Sequence, residues 1–78
     1  MAMYQYENVE CISILVSPRR KLVAQIVNKN KQLRLDLRYW SIWDGIDDFM
    51  PMRKNALNVD LEHMKRLIPQ LTAMINKY

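Results

Sequence analysis

Glycine, cysteine and histidine each occur only once in the 78 residues of this chain. A loop that cradles phosphate groups needs several glycines, so the single Gly45 excludes that kind of nucleotide site. One cysteine cannot close an internal disulfide, and Cys11 with His63 does not form a ligand set with zinc spacing. His63 also has no serine or cysteine placed to pair with it. We therefore expect a protein that is not an enzyme and that uses no metal and no cofactor.

Long apolar stretches and calcium-loop patterns are missing as well. No N-terminal run resembles a signal peptide, and no run approaches the length of a membrane span. Asp44, Asp47 and Asp48 lack the spacing and the closing glutamate of a calcium loop, which leaves a solvated acidic turn. We expect an intracellular protein (cytoplasm or nucleoid, or nucleus if the source is eukaryotic) without membrane contact. In that reducing compartment, Cys11 should be a small buried apolar residue.

The size of the chain bears on its oligomeric state. A domain of this length buries only about 60% of its unfolded surface, so a lone core is marginal. Neither a disulfide nor a bound metal is expected to stabilise this small domain, and oligomerisation is the common alternative means of stabilisation. Half of the residues are hydrophobic, including six methionines, so we expect a dimer with an apolar interface.

Most of the chain reads as strands. The Ile- and Val-rich runs at residues 10–17 and 22–27 predict two strands, with tight turns at 18–21 and 28–31. Such short connections make neighbouring strands antiparallel. Residues 49–59 predict a further strand, with an edge or a bulge at Pro51 because proline cannot donate to a ladder. Residues 1–9 predict a frayed extension before a single domain at 10–78.

The stretch over residues 32–43, QLRLDLRYWSIW, predicts the central strand. Its three leucines alternate with polar residues, so they should line one face and form the core. Arg34, Arg38 and Trp40 then share the other face. Cations beside an aromatic ring suit a single-stranded nucleic acid, which offers phosphates and stackable bases. Exposed arginines and a packed tryptophan are also ordinary features of a half-buried strand, and the strand taken alone favours this ordinary interpretation.

Positive charge is concentrated in the predicted sheet. The chain has a net charge of +4, and residues 19–54 hold nine cations against four aspartates. Five of these cations fall at the two hairpin tips, where they are placed to clamp phosphates. A basic footprint on one element points to a polyanionic partner. The competing interpretation is a solvated basic surface.

The C-terminal segment predicts an amphipathic helix. Asp60 is a good N-cap, and Glu62 lies in the first turn, where the helix dipole favours an anion. Apolar residues recur every three or four positions from Leu61 to Tyr78, and Pro69 should kink the helix. The predicted fold class is α+β: a curved four-stranded antiparallel sheet followed by one C-terminal helix, in a homodimer.

Several short motifs occur in a characteristic order. They are Asp36-Leu37-Arg38-Tyr39-Trp40, the turn at Asp44-Gly45, Pro51-Met52-Arg53-Lys54, the pair Leu57 and Val59, and a helix with Glu62, Met64 and Leu67. In this order they resemble the single-stranded-DNA-binding family of the transcriptional coactivator positive cofactor four, as a divergent bacterial or phage-type member. The motifs span residues 36–67, and the upstream hairpins extend the resemblance to 10–78. Asn55-Ala56 stand where the family pattern has a glycine.

The resemblance implies a homodimer whose helices build the interface and whose sheets bind single strands. It implies that Arg38 and Trp40 (or Tyr39) hold backbone and bases, and that Lys54 with Arg53 contacts phosphate. Lys29 and Lys31 occupy the loop that contributes cations in the family. It leaves open which of Tyr39, Trp40 and Trp43 stacks on bases.

The resulting hypothesis is sequence-independent binding of single-stranded or unwound DNA in transcription regulation, replication or repair, alongside transcription or replication proteins. The alternatives are a protein-interaction or scaffold module that uses the apolar helix face, and an RNA-binding module. The candidate nucleic-acid-binding residues are Arg19, Arg20, Lys21, Lys29, Lys31, Arg34, Arg38, Tyr39, Trp40, Trp43, Arg53 and Lys54. The candidate dimer-interface residues are Met64, Leu67, Ile68, Leu71, Met74 and Ile75.

Overall fold

The computed structural model describes residues 6–45 and 47–78, with Tyr6 described by its backbone alone. Five strands and one helix follow one another along the chain. They are β1 (Tyr6–Ser17), β2 (Arg20–Lys29), β3 (Gln32–Ile42), β4 (Phe49–Pro51), β5 (Leu57–Asp60) and α1 (Leu61–Ile75).

The strands form one antiparallel sheet in the order β1-β2-β3-β4, and β5 pairs with β3 as well. The predicted fold class, an antiparallel sheet followed by one C-terminal helix, is confirmed. The first strand is longer than predicted. Residues 6–9 were expected in a frayed extension, but residues 6–8 pair with β2 from Tyr6 opposite Lys29 onward, and the register shifts between Asn8 and Glu10. The rest of that predicted extension, residues 1–5, lies outside the described residues.

The β2–β3 turn has the geometry that a two-residue hairpin prefers. Asn30 and Lys31 have φ angles of 53° and 67°. Positive φ at both central residues defines a type I′ turn, whose twist matches that of the flanking strands. Asparagine tolerates this conformation, as the sequence predicted, but lysine does so only at a cost.

The predicted fourth strand is two short strands. β4 pairs with Trp40–Ile42 of β3, and β5 pairs with Arg34–Leu37 of the same strand. Pro51 ends β4 at the sheet edge, and the interruption follows at residues 52–56 rather than at the proline itself. Asn55 has a φ of 59° in this turn, a conformation for which glycine is the usual residue.

Helix α1 begins as predicted but ends earlier. The Asp60 carboxylate accepts a hydrogen bond from the Glu62 backbone N–H at 2.9 Å. That bond lowers the pKa of Asp60, and a hydrogen bond from the Gln32 side chain adds to the effect. The helix has 15 residues and contains Pro69. It stops at Ile75, so Tyr78, which the pattern placed on the apolar stripe, is outside it and fully exposed.

The core is small and does not lie only where the leucine pattern put it. Val23, Val27 and Met64 are its buried hydrophobic residues among those described. Val23 and Val27 pair with Arg38 and Arg34, so both valines lie on the arginine face. The sequence placed the core on the leucine face, and the valines of β2 add buried residues on the arginine face. Leu33, expected in the core, is 44% exposed.

Helix α1 packs mainly against β3 and β5. β1 is therefore an outer strand without a helix over it, and Ile12 and Ile14 are 68% and 64% exposed. Cys11 is exposed on the same strand, so the prediction that it is buried was wrong. Within the described ranges, α1 is too short and too polar to cross a membrane.

Candidate functional site

A broad groove of about 1040 Å³ lies on the arginine face of the sheet. Its floor comes from the middle of the sheet, because Gln25 pairs with Asp36 across β2 and β3, and Asp36 pairs with Asn58 across β3 and β5. The residues that line the groove are Asn8, Gln25, Val27, Asp36, Arg38, Trp40, Trp43, Met50, Pro51, Arg53 and Asn58.

The centre of the floor is an ion pair between Asp36 and Arg38. The Arg38 Nε donates to Asp36 Oδ2 at 2.8 Å, and its Nη2 donates to Oδ1 at 2.6 Å. Arg38 Nη1 also donates to the backbone carbonyl of Met52 at 3.3 Å. Asp36 is only 6% exposed, so its carboxylate depends on these donors for compensation. Arg38 is thus held by the protein itself.

Asn58 connects this pair to a second arginine. Its Nδ2 donates to Asp36 Oδ1 at 3.2 Å, while its Oδ1 accepts from Arg34 Nε. Arg34 Nη2 donates to the Asn58 backbone carbonyl at 3.1 Å. Two of the five arginines predicted to bind nucleic acid, Arg34 and Arg38, are therefore members of one internal network around a buried carboxylate.

Trp40 lies at the end of the floor beneath a lysine. The Lys21 ammonium lies 5.5 Å from the Trp40 ring centroid and 4.7 Å from that of Phe49, within the range of cation–π attraction. The Trp40 Nε1 is buried, with no hydrogen-bond partner among the described residues. Lys21 lies over the Trp40 ring, and the indole N–H is buried. Trp40 is therefore mainly a packing residue at the end of the floor and offers little open ring surface for stacking.

Trp43 is the exposed aromatic residue of the groove. It follows β3 directly, and it is 53% exposed. Tyr39, by contrast, pairs with Leu22 on the leucine face, where the Arg20 guanidinium lies 5.7 Å from its ring. Of the three aromatic residues that the sequence left open, Trp43 is thus the exposed one in the groove, and Tyr39 lies on the opposite face.

The hairpin-tip cations do not form a single clamp. Arg19 and Arg20 lie at one end of β2, and Lys29 and Lys31 lie at or beyond the other. At about 3.3 Å per residue, the ten residues of β2 separate these ends by about 30 Å. Arg19 also contacts Asp44 at 3.4 Å and donates to the Ile42 carbonyl at 3.1 Å. The five hairpin-tip cations are therefore divided between the two ends of the sheet, because successive hairpin turns lie at opposite ends.

The β4–β5 turn supplies cations at the groove itself. Arg53 lines the groove, and Lys54 follows it in the same turn. Both residues are exposed. Among the lining residues the structure describes, Asp36 alone is acidic, so the wall near Arg53 is positive. No group of three or more metal-ligating side chains is found in the described part of the chain.

Known proteins give no further guidance. No family model, no curated protein and no solved structure matches this chain. The geometry of the groove and of the apolar surfaces therefore carries the functional argument.

The candidate interface residues of the helix divide into two groups. Met64 is 7% exposed and belongs to the core of its own chain, and Leu71 is half-buried. These two residues are therefore weaker interface candidates than the sequence suggested. The remaining four are between 45% and 58% exposed: Leu67, Ile68, Met74 and Ile75.

The sequence did not single out Gln25 and Asn58 as site residues. Gln25 interrupts the apolar run at residues 22–27, and Asn58 lies between Leu57 and Val59. This was the available signal. Placing them beside Asp36 required the strand register, which pairs Gln25 with Asp36 and Asp36 with Asn58.

Proposed function

We propose that this protein is a non-enzymatic, sequence-independent binder of single-stranded or unwound DNA that acts as a homodimer in transcription regulation, replication or repair. The observation that carries the proposal is the groove itself. It joins an exposed tryptophan, a polar floor whose ion pair between Asp36 and Arg38 has no net charge, and a turn with two exposed cations, Arg53 and Lys54. Stacking platforms combined with cations are the usual means of holding single strands without reading their sequence.

The open aromatic residue favours a single strand over a duplex. Trp43 can stack only on a base whose face is accessible, and bases in a duplex are already stacked on their neighbours. The basic residues alone would serve either form. Preference for the single strand is therefore assigned to Trp43 and the floor, and general affinity is assigned to the cations.

The turn at Asn55 supports the resemblance to the positive cofactor four family. The family pattern has a glycine after its Arg-Lys pair, and here Asn55 follows Arg53-Lys54 with a φ of 59°. Asparagine is among the non-glycine residues most tolerant of this conformation. The backbone conformation is thus one that a glycine would also adopt.

The homodimer is supported by surface area and shape. The chain exposes 6675 Å², whereas a folded monomer of its mass exposes about 5000 Å². The difference between these two areas is larger than the area that each partner buries in a standard protein–protein interface, which is about 800 Å². The radius of gyration, 14.3 Å, also exceeds the about 11.5 Å expected for a compact domain of this length. The exposed second half of α1 is the apolar surface that the resemblance assigns to the dimer.

The test is a fluorescence-anisotropy titration of labelled oligo-dT with duplex DNA of equal length as competitor, at two or more salt concentrations. We expect binding that duplex displaces poorly and that weakens with salt by about 0.7 in log–log slope per phosphate neutralised. Absence of binding to oligo-dT, or equal competition by duplex, would contradict the proposal. Oligo-U measured in parallel separates DNA from RNA, because stacking and phosphate contacts alone do not distinguish the sugar.

A matched pair of variants localises the binding. Arg53→Gln with Lys54→Gln removes two cations from the groove turn. Lys65→Gln with Arg66→Gln removes two exposed cations from α1. We expect the first double variant to reduce the salt slope by about 1.4, two phosphates' worth, and the second to leave it unchanged. Equal effects would mean that only overall charge matters.

The second candidate is a protein-interaction module. The observation that favours it is the apolar surface at the end of α1, which Leu67, Ile68, Met74 and Ile75 leave exposed in the single chain. A protein that fails to bind oligo-dT, and that stays monomeric by sedimentation, would support this candidate in place of DNA binding.

A further inference from the structure

Charge is distributed unevenly between the floor and the side of the groove. Arg38 on the floor is bonded to Asp36 and to the Met52 carbonyl, and Arg34 is joined to this pair through Asn58. At the side, Arg53 and Lys54 are exposed on the β4–β5 turn. Arg34 and Arg38, two candidates for nucleic-acid contact, are thus engaged with the protein itself.

A phosphate at the floor would meet the carboxylate of Asp36. Arg38 lies 2.6 Å from one Asp36 oxygen and 2.8 Å from the other. Any anion that approached Arg38 would therefore lie beside the carboxylate of Asp36, which is only 6% exposed. Like charges repel more strongly beside a buried group than in bulk water, because the effective dielectric constant is lower there.

The floor fits a nucleobase better than it fits a phosphate. Gln25 and Asn8 add amide groups to it, and Val27 and Trp40 add apolar surface. Bases are flat and uncharged, with hydrogen-bond donors and acceptors on their edges. Trp43 offers an exposed ring on the same face for stacking.

We infer that a single strand lies in this groove with its bases turned inward over the floor and its phosphates outward along Arg53 and Lys54. The inference rests on the proposed function and adds the orientation of the strand within the site. It also reassigns Arg34 and Arg38 from phosphate ligands to residues that shape and neutralise the floor around Asp36.

The test compares oligo-dT with an abasic oligomer of the same length, in which each sugar carries hydrogen in place of the base. Both ligands have the same number of phosphates, so a contact made only to phosphate is preserved. We expect the abasic oligomer to bind the wild-type protein at least tenfold more weakly, with a similar salt slope. Equal affinity for both would overturn the inward orientation and the stacking assigned to Trp43, while binding of the strand through its phosphates would stand. Binding to neither ligand would instead overturn the proposed function and the inference together.

A pair of variants gives a second readout. Arg38→Gln alone would leave the Asp36 carboxylate buried without its partner, so it is combined with Asp36→Asn, which removes the pair at constant net charge. We expect this double variant to keep the wild-type salt slope, and Arg53→Gln to reduce it by about 0.7. Loss of slope in the double variant equal to that of Arg53→Gln would show that Arg38 contacts phosphate and would overturn the inference.

Discussion

Replacing Trp43 with alanine removes the exposed ring of the groove and nothing that the fold depends on. The side chain is 53% exposed and follows the last residue of β3. Substitutions at such exposed positions usually change the free energy of unfolding by less than about 0.5 kcal/mol. One base stack is worth about 1–3 kcal/mol in binding. We therefore expect Trp43→Ala to bind oligo-dT about 5- to 150-fold more weakly with an unchanged melting temperature.

Tyr39→Ala is the matched control for this substitution. Tyr39 is also a partly exposed aromatic residue near the end of β3, but it lies on the opposite face with Arg20 over its ring. Anisotropy titration of both variants, with thermal unfolding followed by circular dichroism, separates stacking from folding. Wild-type affinity in Trp43→Ala, or a loss in Tyr39→Ala as large as that in Trp43→Ala, would refute the assignment of the groove face. Trp40→Ala is a poorer test, because that ring packs beneath Lys21 and supports the wall.

Three further predictions concern the scaffold. Lys31→Gly should stabilise the fold by about 0.5–1 kcal/mol in urea unfolding. Glycine relieves the left-handed strain at φ 67°, and this gain exceeds the chain entropy that glycine costs. A loss of stability would contradict the type I′ assignment. The lowered pKa of Asp60 means that its ionised form stabilises the fold fully above its ordinary value of 3.8, and that this contribution is lost as pH falls through the folded value. Asp60→Asn should therefore reduce the loss of melting temperature on acidification, and an unchanged pH profile would count against the cap. Ile68→Glu should shift the sedimentation coefficient from dimer to monomer, whereas Ala73→Glu, about 140° around the helix, should not; dimers in both variants would exclude this face of α1.

Alternation along β3 carried much of the information in the sequence. The period-two pattern assigned the leucines to one face and Arg34, Asp36, Arg38 and Trp40 to the other, and the cross-strand register agrees with that division. The helix cap at Asp60 and the tight turn at Asn30 could also be predicted from the sequence, because each depends on residues close to it in the chain. Local rules predict local structure well.

Contacts between distant residues could not be predicted in this way. The pairing of Asp36 with Arg38 was within reach of the sequence, but the addition of Asn58 and the Met52 carbonyl depends on how β5 and the preceding turn dock beside β3. Lys21 covers Trp40 because the two residues are register partners. Of the twelve residues that the sequence proposed for nucleic-acid binding, four line the groove: Arg38, Trp40, Trp43 and Arg53. The role of each of these four followed from the register.

A titration of ¹⁵N-labelled protein with unlabelled oligo-dT, followed by amide and indole chemical shifts, tests most directly whether the groove is the binding site. The account predicts that the largest changes fall on the Trp43 indole, the Gln25 side-chain amide and the backbone of Arg53, with α1 little affected. Changes concentrated on Ile12, Ile14 or the exposed end of α1, with the groove signals unmoved, would contradict it.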